Sequence, residues 1–334
     1  MDTIILTTSI DDIDKAAGII KRGGIVAFPT ETVYGLGANA LDAKAVRRVY
    51  EAKGRPTDNP SIVHIACGRD MERLTPQVSE LARSLGDRFW PGPLTMVVDK
   101  KQEVPDETTG GLSTVAVRSP DEVTAIELIR RAGCPIAAPS ANLSGKPSPT
   151  KAAHVLADLT GRADAIIIGP DCRVGIESTV VDVTGETPVI LRPGIVTAFD
   201  IEAATGRPVA LDPSLFLREN DFGDGVKPKS PGMKYKHYAP KAKMTVFEGP
   251  AEKVKGEIER VKALREADGY RVGVILFDEQ ATGEAARELF ARLRELDGQG
   301  ADLILAGAVP EQDGVGFAVM NRMLKAAGYN VIKV

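Results

Sequence analysis

Residues 206–241 divide the chain. They mix proline, glycine and charge with no sustained hydrophobic period, and an aperiodic stretch of that length inside a compact protein is either a linker or a functional loop. After it, strand-like runs at 244–247, 272–277, 303–306 and 331–334 are separated by helical periods over 251–267, 283–296 and 316–327. Such alternation predicts a small parallel sheet with helices on its faces, a Rossmann-like α/β domain. Before the break, strand patterns at 3–6, 25–28, 62–65, 94–98, 114–118, 135–138, 165–168, 179–183 and 189–191 alternate with helices less strictly. Ser9 and Asp42 are placed to cap helices, and Asp121 and Thr150 to cap those over 121–132 and 151–159; a further helix is expected near 77–86. The pattern predicts a mixed twisted sheet with surrounding helices. The expected division is 1–205, a linker or lid over 206–242, and 243–334.

At 334 residues the chain can bury two cores, and its 43% hydrophobic and 26% charged content is ordinary for a globular protein. A formal net charge of −4 gives no support for a protein that coats nucleic acid, so no stable direct nucleic-acid contact is expected. Cys67, Cys134 and Cys172 are scattered without C-x-x-C spacing, which indicates neither a disulfide framework nor a zinc site. Buried, reduced thiols in a cytoplasmic protein are expected, with no signal segment and no membrane span.

Chemistry concentrates at Lys53-Gly54-Arg55-Pro56-Thr57-Asp58-Asn59-Pro60-Ser61-Ile62-Val63-His64. A helix ends in Lys53, Gly54 supplies the left-handed stop, and two prolines hold the following chain extended. Two cations, a fixed turn and a histidine on an apolar strand suit a polyanion beside a smaller polar substrate; the plain alternative is a solvated helix end and a packed histidine. Gly35-Leu36-Gly37-Ala38-Asn39-Ala40 fits G-x-G-x-x-A but opens no helix, so its glycines are expected to permit close backbone approach. Gly314-Val315-Gly316 lacks the third glycine of that motif, and there is no P-loop. A bound triphosphate would therefore rest on side-chain cations and hydroxyls. Arg118 and Arg192, at strand carboxyl ends, add charge where α/β folds place ligands. Glu31 and Glu177 are open to three readings: an acid/base pair, magnesium ligands or loop anchors. His154, mid-helix among alanines, reads as structural.

With Phe28-Pro29-Thr30-Glu31-Thr32-Val33-Tyr34-Gly35-Leu36-Gly37, Pro139-Ser140-Ala141-Asn142-Leu143-Ser144-Gly145 and Glu177-Ser178-Thr179-Val180-Val181-Asp182, the stretch at Lys53 resembles the YrdC-like family, its two-domain threonylcarbamoyl-AMP synthases in particular. The resemblance implies a nucleotidyltransferase that joins L-threonine and bicarbonate at the expense of ATP and releases pyrophosphate. Other proteins then use the adenylate to modify an adenosine beside the tRNA anticodon. It implies a nucleotide site at Lys53, Arg55, Asn59, Ser140, Asn142 and Arg192, more weakly at Thr114 and Ser148. It implies a threonine site at Thr32, His64, Arg118, the backbone at Ala138, and Ser178, with Arg118 on the carboxylate. Lys53, Arg55 and His64 are the candidates for a catalytic part, His64 by orienting a hydroxyl or by accepting a proton from the amine. Magnesium is expected to come with ATP and leave with pyrophosphate, with no tightly bound organic cofactor.

The resemblance also lays 206–241 over the nucleotide as a lid, with Tyr235 as the contact and Lys234 or Lys236 adding charge. The tail motif Gly314-Val315-Gly316-Phe317-Ala318-Val319-Met320-Asn321-Arg322 resembles the family's own tail and reads as structural. Two other classes compete. A non-catalytic RNA-binding YrdC-like module would need no hydroxyl and histidine cluster. The carbamoyl-transferring hydrogenase-maturation proteins carry paired zinc-finger cysteines that this chain lacks.

Overall fold

The structure, a computed structural model, describes residues 2–217, 230, 238–312 and 314–334. The first part of the chain runs β1 (Ile4–Leu6), α1 (Ile10–Lys21), β2 (Val26–Phe28), β3 (Gly35–Asn39), α2 (Ala43–Lys53), β4 (Ile62–His64), α3 (Glu80–Phe89), β5 (Leu94–Asp99), α4 (Asp106–Thr109), β6 (Thr114–Arg118), α5 (Val123–Ala132), β7 (Ile136–Ala137), α6 (Ala152–Leu159), β8 (Ala165–Ile167), β9 (Thr179–Asp182), β10 (Val189–Arg192), α7 (Ala198–Thr205) and β11 (Ala210–Leu211). Among the described residues its strands make one mixed sheet, ordered β1-β8-β2-β3-β7-β4-β6-β5-β9-β10-β11. The second part runs β12 (Lys243–Glu248), α8 (Ala251–Ala267), β13 (Val272–Ile275), α9 (Thr282–Gly298), β14 (Leu303–Gly307), α10 (Val315–Ala326) and β15 (Val331–Lys333). Its described strands are all parallel, in the order β13-β14-β12-β15. The mixed sheet and the small parallel α/β unit are thus both present.

The middle of the large sheet is buried on both faces, and the two-residue period of its strands shows it, while the edge strands β1 and β11 are largely exposed. On β2, Val26 and Phe28 join the core beneath α1 and α5, while Ala27 joins the one beneath α2 and α6. On β8, Ala165 and Ile167 take the first side and Ile166 the second.

Several local expectations need correction. Gly35–Asn39 is a strand in mid-sheet, paired antiparallel to β2 and β7. Glycine is depleted in strands and hid it. A side chain at Gly37 would stand 2.5 Å from Ile136 and 2.7 Å from Phe28, so the close approach expected there is real. Ser9 and Asp42 cap α1 and α2 as read. Glu122 caps α5 in place of Asp121, and α6 starts after Lys151, with the His154 ring accepting from the Thr150 N–H at 3.3 Å in place of a Thr150 cap. The helix expected near 77–86 is Glu80–Phe89, capped by Ser79. Residues 206–241 are not wholly aperiodic: β11 extends the sheet edge parallel to β10, and Pro213–Phe216 forms a 3-10 turn.

Candidate active site

A cleft of about 570 Å³, its open mouth included, lies across the middle of the large sheet. Strand pairing builds its floor: β4 and β6 run parallel with His64 directly opposite Arg118, and the Ala138 N–H after β7 donates to the Ile62 carbonyl at 2.9 Å. Thr32, Arg55, His64, Arg118, Ala138, Ser140, Ser178 and Arg192 of the expected set line it. Glu177 and Tyr238 line it too.

Arg118 is buried and held on three sides. Its Nε donates to the Gly92 carbonyl at 3.2 Å, one Nη to Thr32 Oγ1 at 2.8 Å, and the other approaches Glu31 Oε1 at 2.5 Å. That last contact lies off hydrogen-bond geometry. Both Glu31 oxygens, and Nδ1 of His64, are therefore buried with no hydrogen-bond partner among the described residues. Buried polar atoms are almost always paired, so orphans gathered around a cleft mark room for a polar ligand.

His64 is 4% exposed, with the Phe28 ring edge-on at 6.1 Å. Burial, with Arg118's charge adding, pushes its pKa down to about 3. The ring is neutral at physiological pH. It can orient a hydroxyl or an amine, but it is far too weak a base to take a proton from an ammonium.

Ser178 bonds Thr95 Oγ1 at 2.8 Å and accepts from Arg192 Nη2 at 3.1 Å, while Arg192 Nε donates to the Ser178 carbonyl at 3.0 Å. Burial lowers Arg192 to about 10, against the pull of Tyr238 and Glu177, which leaves it a cation at neutral pH. Arg55 reaches the cleft from beyond the α2 stop, where Gly54 is left-handed at φ 63°. It donates to the carbonyls of Asn59 and Pro60, and its guanidinium lies 5.9 Å from the Tyr50 ring.

The remaining expected residues stand one layer back. Lys53, expected beside phosphate, is buried and donates to the carbonyls of Ser140 and Asn142. Burial and the nearby Arg55 push its pKa well below the usual lysine value. It clamps the loop that presents Ser140. Asn142 accepts from Ser140 Oγ, and Ser148 donates to Glu177 Oε1 at 2.6 Å. Asn59, buried, offers its carbonyl to Arg55 and Tyr50. Thr114 opens β6 two residues before Ala116, the partner of Ile62, and so lies level with Pro60 on the Arg55 side. Tyr235, Lys234 and Lys236 lie outside the described residues.

Glu31 and Glu177 do not form a pair with each other. Glu31 faces Arg118, and Glu177 accepts from Arg322 Nε at 3.2 Å. Among the described residues no group of three His, Cys, Asp or Glu side chains could hold a metal. Glu31 lies against Arg118 and Glu177 against Arg322, each carboxylate beside its own arginine.

The sequence reading missed the residues that join the second part of the chain to this cleft. Arg322, fully buried on α10, also donates to the carbonyls of Pro193 and Glu177. Tyr238 stacks on Phe290 of α9 at 5.0 Å, and Arg294 of α9 reaches the Pro147 carbonyl and buried Asp158. The Cβ that Gly175 lacks would collide with the α9 backbone at Arg287. Val33 and Ile176, beside cleft residues, share one apolar core with Phe290 and Val319. Only the tail motif containing Arg322 signalled this in the sequence.

A family model described as "Telomere recombination", covering Sua5, YciO and YrdC proteins, matches residues 18–194. The chain belongs to that family. A second model, the threonylcarbamoyl-AMP synthase C-terminal domain, matches residues 196–328. The threonylcarbamoyl-AMP synthase of Pyrococcus abyssi is 50% identical over 96% of this chain and 95% of its own length. That of Bacillus subtilis is 46% identical over 98% and 96%. The crystal structure of P. abyssi Sua5 complexed with L-threonine matches at TM-score 0.93 and 48% identity, over 99% of this chain and all of that one. Among the described residues no helix is long and apolar enough to cross a membrane.

Proposed function

We propose that this chain makes threonylcarbamoyl-AMP from L-threonine, bicarbonate and ATP, releasing pyrophosphate. The full-length likeness to threonylcarbamoyl-AMP synthases carries the proposal, and the cleft supplies groups of the right kind. A guanidinium has five N–H donors. In Arg118, Gly92, Thr32 and Glu31 engage three sides, and the remaining donors suit the threonine carboxylate. His64 Nδ1, without a partner among the described residues, and the Ser178 hydroxyl are available to the hydroxyl and the amine. A site that must hydrogen-bond a hydroxyl discriminates against valine.

The neutral amine first adds to carbon dioxide, giving a carbamate and a proton, or to bicarbonate, in which case a C–O bond breaks as the C–N bond forms and water leaves. With His64 so weakly basic, the amine's proton goes to bicarbonate or solvent. A carbamate oxygen then attacks the α-phosphorus in line; that P–O bond forms as the bond to pyrophosphate breaks. Arg55 and Arg192 are the cleft cations suited to the phosphate charge, with Ser140 beside them. Magnesium enters as part of the ATP substrate, and no step is routed through a protein-held ion. A lid over residues 206–241, with Tyr235 on the nucleotide, belongs to this proposal and rests on the family resemblance. So do a cytoplasmic location, in keeping with three unpaired cysteines, of which Cys172 is buried as expected while Cys67 is exposed and Cys134 partly so, and the handing of the adenylate to other proteins that act on tRNA. Pyrophosphate release with ATP and bicarbonate should require L-threonine and fall sharply with L-valine; release independent of the amino acid would contradict the proposal.

A further inference from the structure

Arg322 is a fully buried charge that the second unit pushes into the back of the cleft. Its Nε meets Glu177 Oε2 at 3.2 Å, and Nη2 lies 3.4 Å from the Glu177 carbonyl. Nη1 donates to Pro193 O, and to Ala318 O at 3.2 Å. Glu177 precedes Ser178, and Pro193 follows Arg192. Arg322 therefore grips the two backbone segments whose side chains meet as the Ser178–Arg192 pair on the cleft wall. A buried charge of this kind is costly unless answered, and removing one partner leaves the other stranded. We propose that Arg322 is a positioning residue for the reaction: through Glu177 and Pro193 it holds Ser178 and Arg192 in place, so the second unit completes the site without touching substrate. This rests on the function proposed above.

The charges facing Glu177 fix the sign of a pH test. They are Arg192 on β10 and Arg322 and Lys325 on α10, with the Ser148 hydroxyl and the Tyr238 phenol beside them. Burial alone would raise the Glu177 pKa, but Arg322 first and then Arg192 hold it below the ordinary 4.5. Without Arg322 it must rise.

The test compares wild type with Arg322→Met, Arg322→Lys, Glu177→Gln and the double variant Arg322→Met/Glu177→Gln. Adenylate formation is measured against threonine and ATP concentration from pH 6 to 8, with circular dichroism and thermal melting to establish folding. Arg322→Met should raise the threonine KM by about tenfold or more, the scale of a lost charge-assisted bond. That defect should ease as pH falls, because protonation relieves the stranded carboxylate. The double variant has no carboxylate to strand, so it should recover most of the threonine affinity and lose the pH dependence. Arg322→Lys, which keeps the charge, should lie between wild type and Arg322→Met.

If Arg322→Met does not fold, Arg322→Lys and Glu177→Gln carry the test: both should raise the threonine KM while melting as folded proteins. A folded Arg322→Met, or that folded pair, with threonine KM within about twofold of wild type overturns the inference alone. So does a double variant no better than Arg322→Met. A wild type that makes no adenylate overturns the functional reading, and this inference with it.

Discussion

Arg118 owes its position to three partners scattered through the sequence: Glu31, Thr32 and Gly92. A lysine there would keep the charge but lose the planar fork that makes those contacts together. Arg118→Lys should raise the threonine KM roughly ten- to a hundredfold with little change for ATP, on the scale of one or two lost buried polar contacts; steady-state kinetics against each substrate checks it. His64 gives a second expectation at this scale. Its folded pKa of about 3 lies below the free value of 6.5, so between those values the unfolded chain binds a proton that the folded chain refuses. Stability gained at neutral pH is lost as pH falls through that window. The loss from pH 7 to 5 should exceed that of His64→Gln by about 2 kcal/mol, since each pH unit of the window is worth about 1.4 kcal/mol per proton. Urea unfolding at the two pH values measures it. Arg118 and His64 were legible because a charge at a strand end and a histidine in an apolar strand stand out locally. The ion pair to Glu31 was not, because only the folded sheet brings those two residues together. The partners of Lys53 were hidden for the same reason: the sequence shows a cation after a helix, and the carbonyls of Ser140 and Asn142 that it meets come from a distant loop.

Strands β4 and β6 present the site because their parallel register sets His64 against Arg118, and β3 braces them through β7. β3 can lie there only because Gly35 and Gly37 leave room for Phe28, Ile136 and Ala138. Gly37→Ala should cost about 1–3 kcal/mol by overpacking, read as a lower urea midpoint with an unchanged slope, and should weaken threonine binding as β7 and Ala138 shift. The helices and alternating strands were legible element by element, although the caps at Asp121 and Thr150 were not. β3 and β11 were not: one is glycine-rich, and the other is a two-residue edge supported only by its neighbour β10.

The two units meet through apolar contact and through arginines of the second unit buried in the first. Asp158 is 4% exposed and answers both Lys146 and Arg294, which hold its pKa below the ordinary carboxylate value despite burial. Asp158→Asn strands Arg294 at the junction and should cost about 3–5 kcal/mol, as broken buried pairs do, seen as a lower melting temperature. The presence of two units was legible from the break in periodicity, but their junction was not, since no local pattern pairs Arg294 with Asp158 or Arg322 with Glu177. The proposed task of the cleft is to join all three substrates into one product. The most direct measurement is mass spectrometry of the full-length protein's products from ATP, L-threonine and carbon-13 bicarbonate. It should find an adenylate carrying both threonine and one labelled carbon, absent without threonine. ATP consumed without a labelled threonine adenylate, or an RNA-binding protein inert toward ATP and threonine, would contradict it.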